Sequence, residues 1–127
     1  MVGIRATTAL FVSISVAAAS NSAVPTGLKG KSYDIARAEL VRAGFQPVHF
    51  QRGPLFEPCP DDPSSCKRYP ETIGCSGTGL AYCQFAFFDR RNRGYVIVTT
   101  QGEEGRVVVS VTRASRRDRT GWPREVH

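Results

Sequence analysis

The chain has 127 residues, 17 Lys+Arg against 11 Asp+Glu, four Cys and 41% apolar content, which is material for one small basic domain. Charged residues at 22% and aromatics at 9% exclude collagen-like, disordered and polytopic membrane classes.

Arg5, the apolar run from Ala9 to Ala19 and the small residues Ala17 and Ala19 are the three parts of a secretory signal peptide. The run is roughly half of the ~20 residues that a spanning helix needs, so residues 1–19 are expected to be cleaved and to leave no transmembrane segment. Removing 19 of 127 residues leaves 108, and losing Arg5 takes the net charge from +6 to +5. The implied location is periplasmic or secreted. Ser20 to Thr26, small and polar, is expected to be a flexible arm.

Ser32 to Gly44 has helical spacing. Tyr33, Ala36, Leu40 and Ala43 share a face, Ser32 is placed to cap through its hydroxyl, Asp34 suits the first turn, and Gly44 follows as a left-handed stop. Phe45 to Phe50 then suggests a short strand, with Pro47 arguing for an edge. Gln51 to Ile73 is aperiodic and rich in proline, a length that a small domain tolerates when it is stapled or used for binding.

Four Cys in an exported chain indicate two disulfides, for which three pairings are possible. The local pairs Cys59 with Cys66 and Cys75 with Cys83 are favoured, because each closes a turn-rich loop. The spacings lack paired short zinc knuckles, and no Cys is left over as a nucleophile, so neither a metal nor any other cofactor is expected.

Three strand patterns follow: Ala81 to Phe88, Tyr95 to Thr100 and Arg106 to Thr112, with two Gly-containing hairpin loops between them. In the first, Cys83, Phe85 and Phe87 alternate with Tyr82, Gln84, Ala86 and Phe88. The predicted fold is α+β, with one amphipathic helix packed on a small antiparallel sheet of about four strands in two layers, and the domain spans 27–112. Residues 113–127, with five Arg, are expected to form a basic exposed tail.

The stretch from Val24 to Phe45 resembles the start of a PASTA domain, carried by Val24, Pro25, Gly30, Ser32, Ala36, Leu40, Ala43, Gly44 and Phe45. The resemblance implies a helix on a short antiparallel sheet and an extracytoplasmic module; some such domains bind peptidoglycan fragments. PASTA domains lack the segment from Pro54 to Tyr82. That segment onward, with Tyr69-Pro70-Glu71, Cys75-Ser76-Gly77-Thr78-Gly79 and Cys83-Gln84-Phe85, resembles small exported proteins of Gram-negative bacteria with no assigned activity.

Imidazoles are confined to His49 and His127, and Asp61 and Asp62 read as turn formers. The candidate binding residues are Arg90, Arg91 and Arg93 on one hairpin with Arg113, Arg116 and Arg117 after the last strand, two clusters that join if they project the same way. Basic clusters attract anionic polymers, and export argues against nucleic acid. The expected protein is thus a monomeric, non-enzymatic envelope binding module that engages an anionic component or a protein partner through the stapled loop and the Arg-rich hairpin. A small hydrolase using carboxylates near Glu71, or a structural envelope protein, is the competing reading.

Overall fold

A computed structural model describes residues 2–3, 9–15, 23–52, 63–76, 79–103 and 105–126. Most of the expected signal segment and the residues 53–62 that include Cys59, Asp61 and Asp62 lie outside them, as do Gly77, Thr78 and His127. The elements are α1 (Tyr33–Arg42), β1 (Gln46–Pro47), α2 (Pro63–Arg68), β2 (Thr72–Cys75), β3 (Cys83–Asp89), β4 (Gly94–Gln101) and β5 (Val107–Ala114), then a short 3-10 helix at Arg116–Asp118. The protein is α+β: one main helix on an antiparallel sheet of five strands.

The sheet runs β1-β3-β4-β5, and β2 lies beyond β1 along the same side of β3. β1 opposes Phe87 and Phe88, whereas β2 opposes Cys83 to Phe85 with a bulge between Thr72 and Gly74. Ala86 sits at the junction, donating to the Glu71 carbonyl and accepting from the Val48 amide. The long pairing of β3 with β4 follows from their alternating aromatic and β-branched residues.

α1 forms where the apolar spacing requires it, with Tyr33, Ala36 and Leu40 buried on the sheet. Its left-handed stop is Gly44 at φ 95°, a conformation that costs little only without a Cβ; the Phe45 amide then reaches back to the Leu40 carbonyl. The start differs from expectation. Ser32 makes no side-chain capping bond, because the helix abuts β5: the Tyr33 amide donates to the Arg106 carbonyl, and Ser32 bridges Val107.

Two apolar clusters form, one on each face of the sheet. Against α1 lie Leu28, Tyr33, Leu40, Phe45, Tyr69, Phe85, Phe87, Val96 and Val98. Burial of each such side chain stabilises the fold by about 1.5–3 kcal/mol. On the opposite face Val48, Phe50, Ala86 and Tyr95 are covered by Phe88, Ala114 and Trp122. The β3 alternation therefore places both sets of residues in apolar surroundings.

That second cover corrects the reading of residues 113–127. β5 continues to Ala114, and the following residues fold back as a strap although most of their side chains are exposed. Trp122 packs edge-on against Phe50 and Tyr95, the Gln51 amide donates to the Arg124 carbonyl, and the Val126 amide donates to the His49 carbonyl. The arm also differs: Val24 and Pro25 are half-buried, and Val24 packs on the main core.

Cys75 and Cys83, directly opposed on β2 and β3, form a disulfide, as expected. Cys66 is buried and disulfide-bonded too; its expected partner Cys59 is outside the described residues. Within the stretch expected to be aperiodic, the structure places α2 and β2. Among the described residues no helix is long and apolar enough to cross a membrane.

Candidate functional site

The hairpin between β3 and β4 is built on a buried acid. Asp89 is 1% exposed and accepts from the Arg91 amide at 3.1 Å, Asn92 Nδ2 at 2.8 Å and Arg113 Nη1 at 3.1 Å. Its carboxylate organises the turn, as Asp commonly does, and leaves Arg90, Arg91 and Arg93 exposed at the tip. Arg113 is therefore drawn toward the base of the hairpin on the α1 face, because Asp89 continues the alternation of Phe85 and Phe87.

After β5 the chain turns at Ser115, whose hydroxyl and amide bond Asp118 and whose hydroxyl accepts from the Arg117 amide. These bonds from Ser115, side chain first, hold the Asp118 carboxyl below its usual value. The turn places the Arg116 guanidinium over the Phe88 ring at 5.9 Å and that of Arg119 over Tyr95 at 5.5 Å. Arg119 Nη1 also donates to Glu125 Oε1 at 3.0 Å, and the Tyr95 hydroxyl donates to the same oxygen at 2.6 Å. Burial, then the bond to Glu125, raises the Tyr95 pKa.

A groove of about 310 Å³ opens between the hairpin, β1 and the strap. Arg90 and Arg116 stand on it, Phe88 and Tyr95 form its wall, and His49 and Glu125 line it as well. Of the six Arg expected to bind, the structure thus brings Arg90 and Arg116 together. Arg113 lies on another groove, whereas Arg91, Arg93 and Arg117 line neither. Arg90, Arg93, Arg116 and Arg117 form no ion pair among the described residues. The described part of the stapled loop, residues 63–76, does not line the groove, so it is not brought together with the hairpin there.

The carboxylate singled out for the competing hydrolase is in a different environment. Glu71 is fully buried; Oε1 accepts from the Tyr33 hydroxyl at 2.7 Å and Arg37 Nε at 2.5 Å, with Arg37 Nη2 at 3.5 Å from Oε2. Burial first, then Glu71, drives the Tyr33 hydroxyl far above its ordinary pKa, and the bond to Glu71 raises that of Arg37. Beside it the Tyr69 hydroxyl bonds Asp34 at 2.5 Å and is pushed up to about 12, chiefly by burial and then by that bond. These contacts tie α1 to the segment before β2, and Glu71 lines neither groove.

Trp122, Tyr95 and Glu125 are not among the residues expected to bind. A single Trp beside Pro in a basic segment was the available signal, since an aromatic of that size is seldom left without a packing partner. No group of three or more His, Cys, Asp or Glu that could hold a metal gathers among the described residues. No family model, curated protein or solved structure matches the chain.

Proposed function

We propose that the protein is a non-enzymatic, exported binding module that takes a compact anionic group of a bacterial envelope component at the groove between the Arg hairpin and the strap. The observation that carries this reading is the pair Arg90 and Arg116, two exposed cations on one groove whose wall is Phe88 and Tyr95. A carboxylate or phosphate held there meets charge from two sides, while the sugar or acyl portion attached to it lies on the aromatic wall. Export is supported by the N-terminal pattern, the disulfide chemistry and the likeness of residues 24–45 to an extracytoplasmic module.

The test is titration of the purified protein with soluble cell-wall fragments and with vesicles containing anionic lipid, compared with neutral vesicles. Binding to an anionic probe is expected to weaken about tenfold or more in an Arg90→Ser, Arg116→Ser variant and to fall with added salt. Binding that ignores both changes would refute the groove. Hydrolysis of the cell-wall fragments by the purified protein would refute the non-enzymatic reading.

A further inference from the structure

The sheet is electrically asymmetric along its strands. β3 ends at Asp89, β4 starts at Gly94 and β5 ends at Ala114, so the hairpin and the turn after β5 lie at one end. The two are close: a Cβ on Gly94 would come within 3.2 Å of the Ala114 carbonyl. Residues 89–94 and 113–119 hold seven Arg and two Asp, a net charge of +5 against +6 for the whole chain. The loop joining β4 to β5 at the opposite end, 102–105, holds two Glu and no cation.

Both acids of the basic end are engaged within it. Asp89 is buried beneath the Arg91 amide, Asn92 and Arg113, and Asp118 bonds Ser115. Arg90, Arg93, Arg116 and Arg117 are exposed and form no ion pair among the described residues. Arg93 is held at the hairpin tip with φ 50°, a left-handed backbone that Asn or Gly adopts far more easily. Among the described residues, no large apolar side chain of these two segments is exposed.

From this placement we infer that the basic end docks end-on against an anionic phospholipid surface, and that the compact anion taken by Arg90 and Arg116 is a lipid phosphate. The inference rests on the groove reading for the seat of that one headgroup. Arg93 and Arg117, which line neither groove, meet neighbouring headgroups of the same plane. Two features favour a lipid surface over an acidic protein. A specific protein interface is anchored by apolar or aromatic side chains at its centre, whereas the side chains exposed here are cationic and polar. The cations also stand on both faces of the sheet, Arg113 on the α1 face beside Asp89 and Arg116 over Phe88 on the other, so they converge toward a plane crossing the strand ends. The acidic loop then faces away from that plane, and the charge asymmetry orients the molecule during approach.

The experiment measures partition of the full-length protein onto vesicles with a rising fraction of phosphatidylglycerol. Neutral phosphatidylcholine vesicles are the reference, so that membrane affinity of the apolar residues 9–15 cancels. Affinity should climb steeply with the anionic fraction. Arg93→Asn, Arg117→Ser should lower it about thirtyfold, since each Arg at such a surface contributes about fivefold, and Asn accepts the left-handed backbone. Arg93→Lys, Arg117→Lys keeps the charge and should bind as the parent does. Soluble glycerol phosphate, followed by amide NMR shifts, should bind the parent and the Arg93→Asn, Arg117→Ser variant alike and lose its site in Arg90→Ser, Arg116→Ser. Vesicle binding unchanged by Arg93→Asn, Arg117→Ser would overturn the inference and leave the groove standing. Absence of glycerol phosphate shifts at the groove would overturn the groove reading, and the headgroup seat with it. Tighter binding, charge for charge, to soluble polyglutamate than to the vesicles would overturn the lipid surface in favour of an acidic protein.

Discussion

Glu71 and Arg37 test whether the polar cluster beneath α1 is structural. The two partners differ in solvent access: Glu71 is fully buried, whereas the Arg37 side chain remains 33% exposed. Removing Arg37 leaves a carboxylate in the core with the Tyr33 hydroxyl as its remaining donor among the bonds described, and breaking a buried pair in this way costs about 3–5 kcal/mol. Removing the acid is cheaper, because the guanidinium can rehydrate. Glu71→Ala then forfeits the Tyr33 hydrogen bond and the contacts of one buried side chain, about 2–4 kcal/mol. Glu71→Gln keeps an acceptor for Tyr33 and loses mainly the ion pair, about 1–2 kcal/mol. The order is therefore Arg37→Ala, then Glu71→Ala, then Glu71→Gln, against a total of about 5–15 kcal/mol for a domain of this size. Urea unfolding followed by Trp122 fluorescence, with the disulfides intact, measures it. The reasoning fails if Arg37→Ala costs less than Glu71→Gln, or if all three fall within about 0.5 kcal/mol of the parent, as surface substitutions do.

Replacing Cys75 and Cys83 together by Ala should lower stability by about 2.5 kcal/mol in the chain-entropy account of a short loop, read from the shift in the urea midpoint. Trp122→Ala removes the cover of Phe50 and Tyr95; a half-buried aromatic should cost about 2–3 kcal/mol, and amide exchange of Gln51 and Val126 should accelerate before global unfolding. Stability should decline on the alkaline side. The raised pKa of Tyr69 means that the folded chain keeps its proton when the unfolded chain has released it, so this contribution is complete below the ordinary value of 10.0 and is lost as pH rises toward about 12. Tyr33 and Tyr95 shift in the same direction, so the tyrosinate absorbance of these three residues should rise together with unfolding above pH 10 rather than ahead of it.

The helix and the three long strands are legible in the sequence because each repeats its signal. Tyr33, Ala36 and Leu40 recur at helical spacing up to a glycine stop, and Phe85, Phe87, Val96 and Val98 recur at alternate positions. β1 is legible as the short strand expected within Phe45 to Phe50, with Pro47 at the edge, although it is only two residues long; β2 is hidden, since four residues with a bulge carry no period. α2 is a six-residue helix, too short to be stable through its own propensity; buried Cys66 and Tyr69 anchor its end through tertiary contacts. The strap is hidden for a related reason. It is held by single contacts of Trp122, Arg124, Glu125 and Val126 with residues some seventy positions earlier and on β4, which no local pattern encodes. The basic residues mislead through proximity. Arg113 and Arg116 are three apart in sequence, yet Arg113 reaches Asp89 on the α1 face and Arg116 lies over Phe88 on the other.

Binding at the Arg90 and Arg116 groove is thermodynamically linked to closure of the strap. Tyr95, Glu125 and Val126 line the Arg90 and Arg116 groove and also attach the strap to the sheet, through the Tyr95 hydroxyl on Glu125 and the Val126 amide on the His49 carbonyl. A ligand in that groove requires the strap in place, so by linkage it must oppose opening of the strap. At a hundredfold excess over its Kd it adds about 2.7 kcal/mol of protection. The gain should appear at the amides of Gln51 and Val126, which lose their partners when the strap lifts.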